Sequence, residues 1–186
     1  MQLILVRHSK TLQEKSKSNL LWQLSSEGIQ LADALSQNQL IKNIECLYTS
    51  DQTKALQTAL LLAKDNYIPI KIFPQLTEAT SITNGYFENY ESRVTQWHNT
   101  KEDRINNGET TKEALSRFNE IIENVVSVSQ RIYANIGIVS HANVLSLFTA
   151  QFEERSSAEI HAHIRMPDVA ILNWESRTLI KRFGYD

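Results

Sequence analysis

Arg7 and His8 come directly after the apolar run LILV at residues 3–6. A second histidine, His141, follows a similar run, IGIVS at residues 136–140. A guanidinium group binds oxyanions through parallel N–H groups, and a neutral imidazole can attack an electrophile or carry a proton. Side chains of these types, if brought together, are suited to an anionic ligand, most simply a phosphate.

Short apolar runs predict the strands that must position these residues. The predicted strands are Leu3–Val6, Cys46–Thr49, Ile70–Phe73, Ile136–Ser140, Val169–Trp174 and an edge strand at Thr178–Phe183. Helical patterns lie between most of them; their predicted starts are Ser25 or Ser26, Asp51, Glu109 (running to about Gln130) and His141. Continuous apolar runs are typical of strands buried on both faces. The alternation of strand and helix predicts an α/β fold with a parallel sheet covered by helices.

Further polar residues follow the other early strands. Ser50 and Asp51 come after the second strand, with Lys54 one turn into the next helix, and Glu78 comes after the third strand. Ligands of open α/β sheets bind outside the carboxyl ends of the strands, so these side chains are expected at one rim. Cations predominate there and helix N-termini add backbone donors, which predicts an anion pocket. A carboxylate beside it can give or take a proton.

Composition narrows the classes of partner and compartment. The chain has 186 residues, of which 41% are hydrophobic and 22% charged, and its formal net charge is −2. This predicts one domain over residues 1–186, with neither nucleic acid nor a membrane as a partner. No apolar run approaches the length of a membrane span or a signal-peptide core, and Cys46 is the single cysteine. We therefore expect a cytoplasmic protein.

Each candidate residue also has an ordinary structural explanation. Arg7 can be a charge at a strand end, and Lys54 can be a solvated charge on a helix. Glu78 has two rivals for the role of the carboxylate, Glu88 and Glu91. The joint placement of the residues after successive strands is what favours a functional site.

A polar and aromatic segment at about 77–108 has weak periodicity, and we interpret it as a lid-like excursion from the domain. Its aromatic residues either line a wall over the ligand or form a local core under the lid; they are Tyr86, Phe87, Tyr90 and Trp97.

Five segments, in the same order, resemble motifs of the histidine phosphatase superfamily, which includes the cofactor-dependent phosphoglycerate mutases. The first, LILVRHSKT, resembles the opening strand and the Arg-His-Gly-x-Thr motif of that family. The others are WQLSSEGIQLADAL, LYTSDQTKALQTALLLA, NGETTKEALSRF and IGIVSHANVL. The resemblance implies a three-layer α/β/α fold of the phosphoglycerate mutase type. It also implies a phosphomonoesterase of the histidine acid phosphatase type that needs no metal and no cofactor.

The same resemblance implies a role for each residue of the site. His8 would be the nucleophile that forms a phosphohistidine, and His141, in its protonated form, would stabilise the transition state. Glu78 would protonate the leaving oxygen and then deprotonate the attacking water. The phosphate-binding groups would be Arg7, Lys54, His141, Thr11 and the backbone N–H of Ala142.

Two residues depart from the family pattern. Ser9 stands where a glycine usually follows the catalytic histidine, and Lys54 stands where an arginine is usual. Lysine keeps the charge but lacks the planar fork of arginine, so we expect weaker phosphate binding or a shifted role. These departures leave open a catalytically weak or inactive relative that binds phosphorylated ligands as a regulatory module.

A third alternative is phosphoryl transfer of the phosphoglycerate mutase type. A mutase uses the same phosphohistidine but must retain a bisphosphate and exclude water. Mutases are usually longer than this chain, so hydrolysis is favoured. The expected substrate is a small phosphorylated metabolite such as a sugar phosphate, a phosphoglycerate or α-ribazole phosphate. The sequence assigns no oligomeric state.

Overall fold

The computed structural model describes residues 1–79, 89–100, 104 and 107–185. All six predicted strands are present in it, with ends that differ by at most two residues. They are β1 (Gln2–Arg7), β2 (Cys46–Thr49), β3 (Ile70–Ile72), β4 (Asn135–Ser140), β5 (Asp168–Asn173) and β6 (Thr178–Lys181). The described residues contain seven α-helices: α1 (Ser26–Ser36), α2 (Gln39–Lys42), α3 (Thr53–Ala63), α4 (Tyr90–Asn99), α5 (Thr111–Ser129), α6 (Ala142–Thr149) and α7 (Ser157–His163).

The six strands form one sheet in the order β3-β2-β4-β1-β5-β6. The pairs β2–β3, β2–β4 and β1–β4 are parallel, whereas β5 pairs antiparallel with β1 and with β6. The prediction of a mostly parallel sheet in an α/β fold is therefore confirmed. In the central pair, Arg7 lies opposite Ser140, so His8 and His141 leave the same edge of the sheet side by side.

Helices bury both faces of the sheet, as the continuous apolar runs predicted. Along β1, Leu3 and Leu5 belong to one apolar cluster while Ile4 and Val6 belong to the other. Buried residues of α5 and α6 belong to the first cluster and those of α3 to the second. Because side chains alternate along a strand, every residue of such a run is buried. Among the described helices, none is both long and apolar enough to cross a lipid bilayer.

Local capping explains where the helices begin. Ser25 caps α1 by accepting a hydrogen bond from the Gly28 N–H, and Thr110 and Glu113 form a capping box at the start of α5. The expectation that Asp51 begins the next helix is wrong by two residues, because α3 begins at Thr53.

Two short helices, α2 and α7, were not predicted, although Ser156 and Glu159 form a capping box at the start of α7. They have only four and seven residues, too few to establish a helical period. Part of the lid-like segment also forms a helix, α4. Trp97 on α4 is fully buried in the larger apolar cluster, which agrees with the local-core interpretation of this residue. Tyr86, Phe87 and Glu88 lie outside the described residues.

Candidate active site

The loop after β1 presents His8 in a defined orientation. The His8 Nδ1 lies 2.8 Å from the carbonyl oxygen of Ser9. A carbonyl can only accept, so the proton of the neutral ring is on Nδ1 and Nε2 carries the lone pair. The ring centroids of His8 and His141 are 5.2 Å apart. The structure thus brings the two histidines together with one nitrogen of His8 ready to act as a nucleophile.

Burial and neighbouring cations keep His8 uncharged. Burial is the main reason that the pKa of His8 lies well below its ordinary value, and the charges of Lys54 and Arg7 lower it further. An imidazole must be neutral to attack phosphorus, so the site favours the reactive form.

His141 ends β4 and lies directly before α6. Its Nε2 lies 2.8 Å from the Ser50 Oγ, while its Nδ1 is buried without a hydrogen-bond partner in the described part of the chain. Burial and then the positive charge of Lys54 hold the pKa of His141 well below its ordinary value. A phosphoryl dianion has the opposite charge and would raise this pKa, so the protonated form expected for His141 depends on that anion.

Arg7 is held by the chain that follows α7. Its Nη1 donates to the carbonyl oxygen of Ile164 at 2.6 Å, and its buried Nε has no partner among the described residues. Burial lowers the pKa of Arg7, while the charges of Tyr90 and Glu78 act in the opposite direction. The guanidinium is therefore fixed at the rim beside the carboxylate.

Lys54 points into the same site from the first turn of α3. Its side chain is buried and its Nζ donates to the carbonyl oxygen of Asn19 at 3.0 Å. Burial lowers the pKa of Lys54 to about 8, with the charge of Glu78 opposing the shift and that of Arg7 adding to it. Lys54 is thus not a solvated helix charge, and its protonation state changes close to neutral pH.

We predict that this lysine limits activity in alkaline solution. The charged form of Lys54 predominates below about pH 8 and is lost as the pH rises. If the neutral form does not bind phosphate, kcat/KM falls about tenfold for each pH unit above the pKa. Lys54→Arg keeps its charge, so its kcat/KM for p-nitrophenyl phosphate should stay level over that range. Lys64→Arg, at a lysine paired with Asp33 on the surface, is the matched control. An unaltered alkaline limb in Lys54→Arg would contradict the assignment.

Glu78 is buried, and the structure places its carboxylate against the start of α6. Its Oε1 accepts hydrogen bonds from the backbone N–H groups of Ala79 and Val144, at 2.9 and 3.2 Å. Its Oε2 accepts from the backbone N–H and from the side-chain Nδ2 of Asn143, at 3.1 and 3.0 Å. Two N–H groups of the first turn of α6 are thus used by Glu78.

Two residues outside the predicted site, Arg117 and Glu109, hold the loop that carries Glu78. Arg117 pairs with Glu109 at 2.7 Å and donates to the carbonyl oxygens of Gln75 and Thr77, at 2.6 and 3.2 Å. A guanidinium with several fixed donors can bridge a helix and a loop in this way. These contacts support a structural role for Arg117 and Glu109, in which they help to position the Glu78 carboxylate.

The serine that replaces the usual glycine is accommodated without strain. Ser9 is fully buried, its Oγ donates to the carbonyl oxygen of Gly28 at 2.7 Å, and its N–H donates to the Thr58 Oγ1 at 3.0 Å. The loop approaches α1 so closely that a Cβ on Gly28 would lie 2.0 Å from the Lys10 carbonyl oxygen. The close approach that demands a glycine therefore occurs at Gly28, and Ser9 adds a tie between the loop and α1.

The structure also places Thr11 and one of the rival carboxylates of Glu78. Thr11 is half-buried and forms an isolated antiparallel bridge with Leu24, at the end of the same loop. Glu91, one rival of Glu78, is exposed on α4, and the other rival lies outside the described residues. Of the two candidate carboxylates that lie within the described residues, Glu78 and Glu91, only Glu78 is in the buried cluster.

Two buried residues of the cluster, Asn143 and His98, were not predicted as site residues. Asn143 is fully buried and contacts Glu78, and its Oδ1 lies 3.0 Å from the His98 Nε2. Burial raises the pKa of Tyr90 to about 12, and the Asn143 side chain acts against this shift. The position of Asn143 at the second residue of α6 was a usable signal, since the first N–H groups of a helix attract anionic groups. His98 carried no such signal.

One family model matches nearly the whole chain. The model of the histidine phosphatase superfamily (branch 1) matches residues 3–182. No curated protein matches the chain significantly.

Solved structures share the fold at low sequence identity. A mycobacterial glucosyl-3-phosphoglycerate phosphatase superposes with a TM-score of 0.78 at 16% identity, covering 98% of this chain and 97% of that one. A putative α-ribazole-5′-phosphate phosphatase from Escherichia coli gives 0.67 at 23% identity, covering 98% and 96%. A phosphoglycerate mutase from Bacillus anthracis gives 0.75 at 16% identity, covering 98% and 92%. These superpositions show a phosphoglycerate mutase-like fold.

Proposed function

Because the chain belongs to the histidine phosphatase superfamily, we propose that it hydrolyses phosphomonoesters through a phosphohistidine on His8, without a metal ion. The observation that carries the proposal is the orientation of His8. Its Nδ1 is tied to the Ser9 carbonyl oxygen at 2.8 Å, so the lone pair of Nε2 is presented beside Arg7, Lys54 and His141. Such a cluster combines a nucleophile with the positive charge that an anionic phosphoryl group requires.

In the first step the Nε2 of His8 attacks phosphorus and the bond from phosphorus to the ester oxygen breaks. The carboxyl group of Glu78 gives its proton to that oxygen, so the product leaves as a neutral alcohol. Arg7, Lys54, His141, Thr11 and the Ala142 N–H hold the other phosphoryl oxygens. The burial of these groups strengthens their attraction for the charge of the transition state.

In the second step a water molecule attacks the phosphohistidine. The Glu78 carboxylate takes a proton from the water, the P–N bond breaks, and inorganic phosphate and neutral His8 are regenerated. The same carboxyl group thus acts as acid and then as base, as the reversal of proton flow requires. Both steps keep charge and protons balanced, and neither needs another group.

The substrate class we propose is a small phosphorylated metabolite. The similar solved structures include proteins named as a glucosyl-3-phosphoglycerate phosphatase and a putative α-ribazole-5′-phosphate phosphatase. The candidate residues His8, Lys54, Glu78 and His141 are all buried. A buried site of this kind favours a small molecule over a phosphorylated protein.

The proposal is tested by trapping the intermediate. The protein is incubated with p-nitrophenyl phosphate in EDTA and quenched in alkali, in which phosphohistidine is stable. We expect turnover in EDTA and a phosphoryl group that mass spectrometry locates on His8. Turnover without phosphohistidine at His8 would contradict the mechanism. Binding of inorganic phosphate without any turnover would instead identify the chain as a phospho-ligand-binding module.

A further inference from the structure

A chain of hydrogen bonds links α7 and α4 to the carboxylate of Glu78. The Ser157 Oγ lies 2.9 Å from the His98 Nδ1, and the His98 Nε2 lies 3.0 Å from the Asn143 Oδ1. The Asn143 Nδ2 then donates to the Glu78 Oε2 at 3.0 Å. Asn143 is fully buried and His98 is 9% exposed, so water has little access to the middle of this chain.

The carboxylate sets the direction of every bond in the chain. A carboxylate accepts hydrogen bonds, so the amide group of Asn143 must turn its Nδ2 toward Glu78 and its Oδ1 toward His98. His98 must then donate from Nε2, and its Nδ1 accepts from the hydroxyl group of Ser157. Burial lowers the pKa of His98 to about 4, so this imidazole stays neutral at physiological pH.

Asn143 controls one oxygen of Glu78. Both hydrogen bonds to Oε2 come from Asn143, one from its backbone N–H and one from its Nδ2. The orientation of the Asn143 side-chain amide therefore decides whether a donor or an acceptor faces this oxygen. The backbone N–H is fixed within α6, so the side-chain amide is the one of these two groups that can turn.

We propose that His98 is a positioning residue that keeps the amide of Asn143 in the one orientation that lets Glu78 deliver its proton to the leaving oxygen. If the amide rotated by half a turn, Oδ1 would face the Glu78 carboxyl group and would accept that proton. The proton would then be withheld from the leaving group. The hydrogen bond from His98 prevents this rotation because Nε2–H needs an acceptor, which Oδ1 supplies and Nδ2 does not. This role rests on the proposed function of Glu78.

The test compares two leaving groups. An alkoxide such as that of glycerol 2-phosphate needs a proton to leave, whereas p-nitrophenolate does not. We expect His98→Phe to lower kcat/KM for glycerol 2-phosphate at least about tenfold more than it lowers kcat/KM for p-nitrophenyl phosphate, and thereby to lower the ratio of the first value to the second by that factor. A loss of this size is part of what acid catalysis contributes in total. A purely structural role would lower both values together and leave the ratio unchanged.

Two further variants sharpen the comparison. His98→Gln places an amide donor near the position of Nε2, so the ratio should return to within about threefold of that of the unmodified protein. His161→Phe is the matched control, since its ring lies 5.2 Å from that of His98 and its Nε2 has no partner in the described part of the chain. It should leave the ratio unchanged. An unchanged or increased ratio in His98→Phe, or an equal loss in His98→Gln, would overturn the proposal.

A double-substitution cycle assigns the effect to Glu78. In a Glu78→Gln background there is no carboxyl proton to position, so adding His98→Phe should not change the leaving-group ratio further. A further fall in the ratio would show that His98 acts by another route and would overturn the proposal.

A spectroscopic measurement separates this proposal from the proposed function. Nitrogen-15 NMR of the imidazole groups should show neutral His98 with its proton on Nε2. A proton on Nδ1 would break the hydrogen-bond chain and overturn the positioning role even in an active phosphatase. A protein with the expected His98 tautomer that hydrolyses neither substrate would overturn the proposed function, and the role of His98 in it, while leaving the hydrogen-bond chain established.

Discussion

Replacing His8 with alanine is expected to lower kcat/KM for p-nitrophenyl phosphate by at least about 10⁴-fold, the order seen when a covalent nucleophile is removed. The buried ring with its Nδ1 tied to Ser9 is the nucleophile, and no water molecule can replace it at the same effective concentration. The measurement is steady-state hydrolysis in EDTA. This leaving group needs no proton, so the result tests His8 independently of Glu78.

The matched control for this substitution is His163→Ala. His163 is exposed on α7, and its Nδ1 lies 2.8 Å from the Glu159 carbonyl oxygen, so the side chain is bonded within its own helix. Activity in this variant should equal that of the unmodified protein. Hydrolysis that survives His8→Ala would rule out the phosphohistidine mechanism.

Glu78→Gln is expected to separate the two chemical steps. Glutamine cannot protonate an alkoxide, so kcat/KM for glycerol 2-phosphate should fall by about 10² to 10⁴-fold. For p-nitrophenyl phosphate, kcat/KM should change little, because it reports formation of the phosphohistidine. The turnover number should nevertheless fall, because water attack then lacks its base. Rapid-quench measurements should therefore show phosphorylated His8 accumulating with an initial burst of p-nitrophenol.

Glu91→Gln is the control because Glu91 was the rival carboxylate and is exposed on α4. It should behave like the unmodified protein with both substrates. Glu78→Gln should also lower the free energy of unfolding by about 1 to 3 kcal/mol, since the new amide N–H₂ faces backbone donors that the carboxylate had satisfied. Thermal melts must therefore accompany the kinetics. Equal losses of kcat/KM with both substrates would contradict the role of Glu78 as a proton donor.

The strands and most helices followed from local patterns in the sequence. Leu3–Val6 was predicted as a strand buried on both faces because every residue in it is apolar, and the structure buries alternate residues of it in two separate clusters. The two short helices α2 and α7 escaped prediction because one or two turns do not establish a period. The consequence for α7 was large, since Ser157 on this helix ends the hydrogen-bond chain to Glu78.

The site was predictable to the extent that strand ends place residues at one edge of the sheet. Arg7 ends β1, His8 follows it and His141 follows β4, and the parallel register of β1 and β4 brings them together. The protonation of the groups was not predictable, because it depends on burial. His141 was expected to carry a proton, yet burial and the charge of Lys54 lower its pKa well below the ordinary value.

By itself, the sequence determined the alternation of strands and helices and the order in which charged residues follow the strands, because both depend on residues close together in the chain. Only the tertiary structure decided the partners of Glu78. Its carboxylate is 65 residues from Asn143 along the chain, and His98 is 45 residues from Asn143. Contacts over such separations arise from the packing of α4, α6 and α7, and local sequence patterns carry no information about which side chains that packing joins.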